Sequence, residues 1–80
     1  MREPGQGMAE EKIVTEVAGR VCAIAAEPGA KIGAGEDVVL IEAMKMEIGA
    51  SSQRGGTVES ILVKMGEMVQ EGQVVAVVKS

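Results

Sequence analysis

Few side chains in this 80-residue sequence have the means to do chemistry. Histidine is absent, so the commonest general base and the commonest metal ligand are both missing. The twelve carboxylates are scattered along expected turns and strand edges. Ser51 and Ser52 have no base partner in view, and Cys22 is the single cysteine, to which we assign no chemistry. What remains is an amine. Lys45 lies in Glu42-Ala43-Met44-Lys45-Met46-Glu47, after the apolar run Val38-Val39-Leu40-Ile41 and before Ile48-Gly49. This bracket reads as a strand, a reversal near Met44-Lys45 and a short strand running into a loop. Two-residue hairpin turns favour Asn, Asp or Gly because both central residues need positive φ. Met-Lys meets none of these preferences, and the tip holds two thioethers, Met44 and Met46, toward water. Most surface lysines are merely solvated. One displayed by a tip that defies local propensity is a candidate functional group.

The elements that must position it emerge from an internal repeat. Gly19 to Glu42 lies over Gly56 to Lys79 at a constant offset of 37 without a gap. Six of those 24 pairs are identical: Gly19/Gly56, Val21/Val58, Ile24/Ile61, Gly29/Gly66, Gly35/Gly72 and Val38/Val75. Each half predicts a strand (Val21 to Ala25, Val58 to Val63), then a turn at Pro28-Gly29 or Met65-Gly66. A short apolar bridge follows at Ile32 or Val69, then a turn at Gly35 or Gly72. A β-branched strand closes each half, Val38 to Ile41 and Val74 to Val78. Glycine at matched turns supplies the positive φ that L-residues resist. Short strands with no helical period indicate an all-β fold, a sandwich or barrel with pseudo-twofold symmetry in which each half completes the other's sheet. By the same offset the equivalent of Lys45 would be position 82. The two ends of the chain are therefore expected to meet opposite the lysine.

Composition sets the outer limits. Eighty residues allow one small domain, and its core must come from Val, Ala, Ile and Met, because no aromatic is present. Without stacking platforms, and with a formal charge of −4, nucleic acid is excluded as an expected partner. No His/Cys cluster offers a metal site. No signal peptide is evident, and the apolar runs are too short to span a bilayer, so a cytoplasmic protein with no membrane partner is expected. Residues 1–10 are polar and Gly/Pro-punctuated and read as a flexible tail, with Met8 an alternative start. Order is expected from near Lys12, and residues 11–80 are expected to form the domain. A chain this small has little room for a substrate site of its own, so it is not expected to be an enzyme.

The Glu-Ala-Met-Lys-Met-Glu stretch, residues 42–47, resembles the attachment site of biotin carboxyl carrier proteins and biotinyl domains, and the resemblance extends over roughly residues 12 to 79. It implies a flattened β-barrel, a barrel-sandwich hybrid of two four-stranded antiparallel sheets, with the lysine on an exposed hairpin. It implies that Lys45 carries covalent biotin, installed by a biotin protein ligase that reads Met44 and Met46, together with Ala43, Glu42 and Glu47. It further implies a non-catalytic carrier that shuttles carboxyl groups between a biotin carboxylase and a carboxyltransferase. The sequence departs from the family before Gly19, where Val17-Ala18 stand in place of a proline and an apolar residue. It departs again after the hairpin, where Ala50-Ser51-Ser52-Gln53 replaces an apolar residue followed by Ala-Pro. The second departure weakens the expected pairing of the strand beyond the hairpin.

Two other readings compete. A lipoyl carrier shares the fold and the exposed lysine, but its hairpin typically has an acidic residue where Met44 stands. An unmodified adaptor barrel gives no reason for a lysine between two exposed methionines. Met65 and Met68, at the second-half turn, are expected to pack, and Cys22, matched to Glu59, is expected to look outward.

Overall fold

A computed structural model describes residues 9–80. It contains eight strands: β1 (Glu10–Val14), β2 (Gly19–Ile24), β3 (Lys31–Ile32), β4 (Asp37–Ala43), β5 (Met46–Ser51), β6 (Gly56–Ile61), β7 (Met68–Val69) and β8 (Val74–Lys79). They form two four-stranded antiparallel sheets, ordered β1-β8-β6-β3 and β5-β4-β2-β7. Each sheet has two central strands from one half of the chain, flanked by outer strands from the other. Neither half has a complete sheet, and the halves are interlocked as the repeat predicts. Adding 37 to the first-half residues converts one sheet's order into the other's.

The correspondence reaches individual residues. The β2–β4 register shifts between Val21 and Ala23, and the β6–β8 register shifts between Val58 and Ser60. This places one bulge at Cys22 and its counterpart at Glu59. Gly29 and Gly66 adopt φ 93° and 85°, and Gly35 and Gly72 adopt 84° and 85°. Thr15 and Ser52 are the buried polar side chains among the described residues, and they too are 37 apart. Both hydroxyls are satisfied locally. Thr15 Oγ1 donates to Val17 O at 2.7 Å, and Ser52 Oγ accepts from Gly55 N–H at 2.8 Å.

The core lies between the sheets and is almost wholly aliphatic. Val38, Val39 and Ile41 of β4 and Val75, Ala76 and Val78 of β8 are sealed from solvent, with Ile13, Val21, Val58 and Val69 around them. Each buried Val or Ile contributes roughly 1.5–3 kcal/mol of apolar transfer. β-Branched side chains suit this surface because their restricted χ1 matches the pleat.

Three expectations need adjustment. Strand β1 opens at Glu10, two residues before Lys12, because its edge is held from both sides. Glu10 pairs with Lys79, and the Glu11 carboxylate accepts from Ser52 Oγ (2.7 Å) and Gln53 N–H (2.8 Å). The rest of the expected tail, residues 1–8, lies outside the described residues. The departure after the hairpin does not loosen β5, which pairs with β4 from Met46 to Ser51. Met65 and Met68 do not pack: they are 61% and 69% exposed, the first in a turn and the second on the two-residue edge strand β7.

Candidate functional site

Strands β4 and β5 form a ladder of direct pairs, with Ile41 opposite Ile48, Glu42 opposite Glu47 and Ala43 opposite Met46. Only Met44 and Lys45 remain to turn the chain. They do so with φ of 52° and 66°, and they are the only non-glycine residues at positive φ among those described. This is the type I′ hairpin geometry, whose twist matches that of the flanking strands. It is carried here by residues whose Cβ atoms disfavour it, at roughly 1–2 kcal/mol each. The buried ladder below holds them there, with Ile41 fully sealed and Val39 paired to Ala50.

The geometry displays three side chains together. Met44 is 95% exposed, Met46 is 61% exposed, and Lys45 between them is exposed. Ala43 is half-buried at the barrel rim, and Glu42 and Glu47 are exposed on the outer face of the sheet. The six residues singled out in the sequence therefore form one continuous tip. No other lysine has this setting. Lys79 Nζ contacts Glu59 Oε2 at 3.0 Å, and this hydrogen bond and charge raise its pKa above the ordinary lysine value.

Two supports of the tip were not foreseen. Arg20 lies opposite Glu42 in the β2–β4 ladder, and its Nη2 contacts Glu42 Oε1 at 3.4 Å. It offsets the juxtaposition of two carboxylates at Glu42 and Glu47, a like-charge arrangement that is otherwise unfavourable across strands. Gly19 permits close approach: a Cβ there would strike the Glu42 carbonyl and the Ile41 side chain. The matched pair Gly19/Gly56 was the available signal for Gly19. For Arg20 the signal would have been the strand register.

The loop leaving β5 is tied to β1. Ser52 Oγ donates to Glu11 Oε1, and the N–H groups of Gln53 and Arg54 donate to Glu11 at 2.8 and 3.4 Å. Partial desolvation opposes ionisation of Glu11. The three hydrogen bonds and the Arg54 charge outweigh it and hold the pKa below the ordinary glutamate value. A polar cleft of about 210 Å³ opens beside this loop, between the edge strands β1 and β5. It lies at the end of β5 away from Lys45. Cys22 is half-buried rather than fully outward, its Sγ 3.5 Å from Leu40 O. Among the described residues no acidic, histidine or cysteine cluster could hold a metal, and no helix is long and apolar enough to cross a membrane.

The barrel thus presents Lys45 on a positive-φ hairpin at one pole, clear of the core. Comparisons with known proteins supply the class. The family model described as "Biotin-requiring enzyme" matches residues 4–78. The biotinylated protein TB7.3 homolog of Mycobacterium leprae (strain TN) is 35% identical over 68 residues, covering 85% of this chain and 96% of that protein. Pyruvate carboxylase of Bacillus subtilis (strain 168) is 37% identical over 60 residues, 75% of this chain but 5% of the enzyme. The crystal structure of the Kluyveromyces lactis urea carboxylase matches with a TM-score of 0.84 at 35% identity, covering 98% of this chain and 7% of that one. The chain belongs to the biotin/lipoyl attachment family and is a biotin carboxyl carrier domain, with covalently attached biotin as its cofactor.

Proposed function

We propose that Lys45 Nζ is the atom that takes biotin, in amide linkage, from a biotin protein ligase. The single observation that carries this reading is the placement of Lys45 at a positive-φ turn between exposed Met44 and Met46. The residues fit the group. An amine that must enter a ligase's active site has to stand clear of the barrel, and its stem must then serve as part of a long arm. Met44 and Met46 offer the ligase an unbranched, polarizable contact surface on either side of the amine. Ala43 at the rim and the carboxylates of Glu42 and Glu47 complete the surface such an enzyme would meet.

When bound, biotin supplies a ureido nitrogen that accepts and releases a carboxyl group. The chain's own residues do no proton transfer; they hold, present and release. The β4–β5 ladder keeps the tip rigid, so the freedom of the arm resides in the lysine stem rather than in the backbone. The domain is thereby suited to serve a biotin carboxylase and a carboxyltransferase in turn. Tethering raises the effective concentration of the carried group at each, which is the physical benefit of a carrier. The carboxylases among the relatives support partners of this kind. The lipoyl alternative is not favoured, because the residue before the lysine is apolar Met44 rather than an acid.

The test is co-expression with a biotin ligase, followed by intact mass and streptavidin blotting. One biotinyl group is expected on the parent chain and none on Lys45→Ala, whose thermal unfolding should stay within about 0.5 kcal/mol of the parent, as for most surface substitutions. Lys79→Ala should label fully. Label retained in Lys45→Ala would refute the assignment.

A further inference from the structure

The tip carries a second chemistry that attachment alone does not use. Four thioethers are exposed on the described surface: Met44 at 95%, Met68 at 69%, and Met46 and Met65 each at 61%. Exposure governs how readily a thioether meets an oxidant, so all four are open to it. Position separates them. Met44 and Met46 are the immediate neighbours of Lys45 in the chain, whereas Met65 lies in the turn before β7 and Met68 within β7. Met46 and Met65 are equally exposed, so exposure does not distinguish them and place does.

We infer that Met44 and Met46 form a reversible redox gate on the loading of Lys45. This rests on Lys45 being the attachment site. A peroxide delivers one oxygen atom to the thioether sulfur. Its O–O bond breaks as the S–O bond forms, the sulfur loses two electrons, and the peroxide leaves as water or an alcohol. The product replaces an apolar, adaptable contact with a polar, chiral sulfoxide that must be desolvated when an enzyme closes over the tip. An enzyme that reaches Lys45 Nζ meets these two exposed side chains, its immediate neighbours in the chain, because the turn contains only Met44 and Lys45 and the ladder resumes at Ala43 opposite Met46. The fold itself should not register the change, since neither sulfur contributes to the sealed core. Oxidation therefore blocks loading without unfolding the carrier, and a dithiol acting through methionine sulfoxide reductases restores it: the sulfoxide takes up two electrons and two protons, its oxygen leaves as water, and the dithiol closes to a disulfide.

The experiment uses the full unmodified chain. It is treated with hydrogen peroxide, cleared of peroxide with catalase, and biotinylated at limiting ligase. The rate should fall about tenfold, equivalent to about 1.4 kcal/mol, and should recover after treatment with the two methionine sulfoxide reductases that act on the two epimers. Met65→Leu/Met68→Leu should lose the same factor. Met44→Leu/Met46→Leu, a near-isosteric change, should lose none on treatment; because it retains Cys22, a loss caused by the thiol would persist in it. An unchanged rate with sulfoxide shown at both tip methionines by peptide mass spectrometry would overturn the gate and leave the attachment site intact. Protection by Met65→Leu/Met68→Leu would also overturn it. An untreated chain that takes no biotin would overturn the attachment reading and the gate together.

Discussion

The two poles of the barrel are built on one frame and finished differently. At one, β4 and β5 run on through Met44-Lys45. At the other, the matched strands β8 and β1 reach Ser80 and Ala9, whose backbones meet by a 3.0 Å hydrogen bond from Ser80 N–H to Ala9 O. The repeat offset carries Ala43 onto Ser80 and Ala9 onto Met46, so the pair Ala43/Met46 that flanks the hairpin turn corresponds to the pair Ser80/Ala9 at the opposite pole. The strand rows beside each junction correspond as well. Glu47, Glu42, Arg20 and Met68 cross one sheet, and Glu10, Lys79, Thr57 and Lys31 cross the other. The hairpin row carries two carboxylates, one guanidinium and a thioether. The opposite row carries one carboxylate, two amines and a hydroxyl. A shared backbone thus differs between its poles in the bridging residues and in the charge pattern around them.

The sharpest way to break this comparison is at its glycines. A Cβ on Gly19 would strike the Glu42 carbonyl at the hairpin pole, and one on Gly56 would strike the Lys79 carbonyl at the other. Gly56 also sits at φ 139°, where an L-residue is strained. Gly56→Ala should cost about 2–5 kcal/mol in urea unfolding, and Gly19→Ala about 1–3 kcal/mol. Their functional signatures should differ. Gly19→Ala shifts the strand that carries the tip and should slow biotinylation of the folded protein, while Gly56→Ala should not. Equal slowing by both would mean the poles are not independent.

A smaller effect, of opposite sign, is expected at the bridge. Replacing Met44-Lys45 by Asn-Gly supplies the residues a type I′ turn prefers and should stabilise the domain by about 1–2 kcal/mol, while abolishing loading. Stability unchanged or lowered in denaturant titration would show that the tip stores no strain.

The smallest effect concerns the two matched hydroxyl loops. Thr15 serves its own loop, whereas Ser52 also holds Glu11. The folded pKa of Glu11 is depressed, so its contribution is present above the unfolded glutamate pKa and is lost as pH falls through the folded value. Glu11→Gln should therefore lower stability at neutral pH by about 1 kcal/mol or less, the scale of one exposed charged hydrogen bond. The difference should vanish in acid. A deficit that persists below pH 3 would point to lost packing instead.

Much of this molecule is local and so could be read in one dimension. The repeat is a property of residue order, and it announced the strands, the matched glycine turns and the interlocked halves. The tip was equally legible, because all six of its residues are contiguous and Met-Lys at a turn contradicts ordinary propensity. Tertiary structure decided what depends on register between distant strands. Arg20 meets Glu42 across 22 residues and Ser52 meets Glu11 across 41, and no local pattern encodes either contact. It also decided the fate of Met65 and Met68, since an apolar side chain is buried only if a neighbour covers it. On the two-residue edge strand β7 and its turn, no neighbour does. The φ values of Met44 and Lys45 belong here too: local sterics oppose them, and the paired, core-anchored strands beneath impose them.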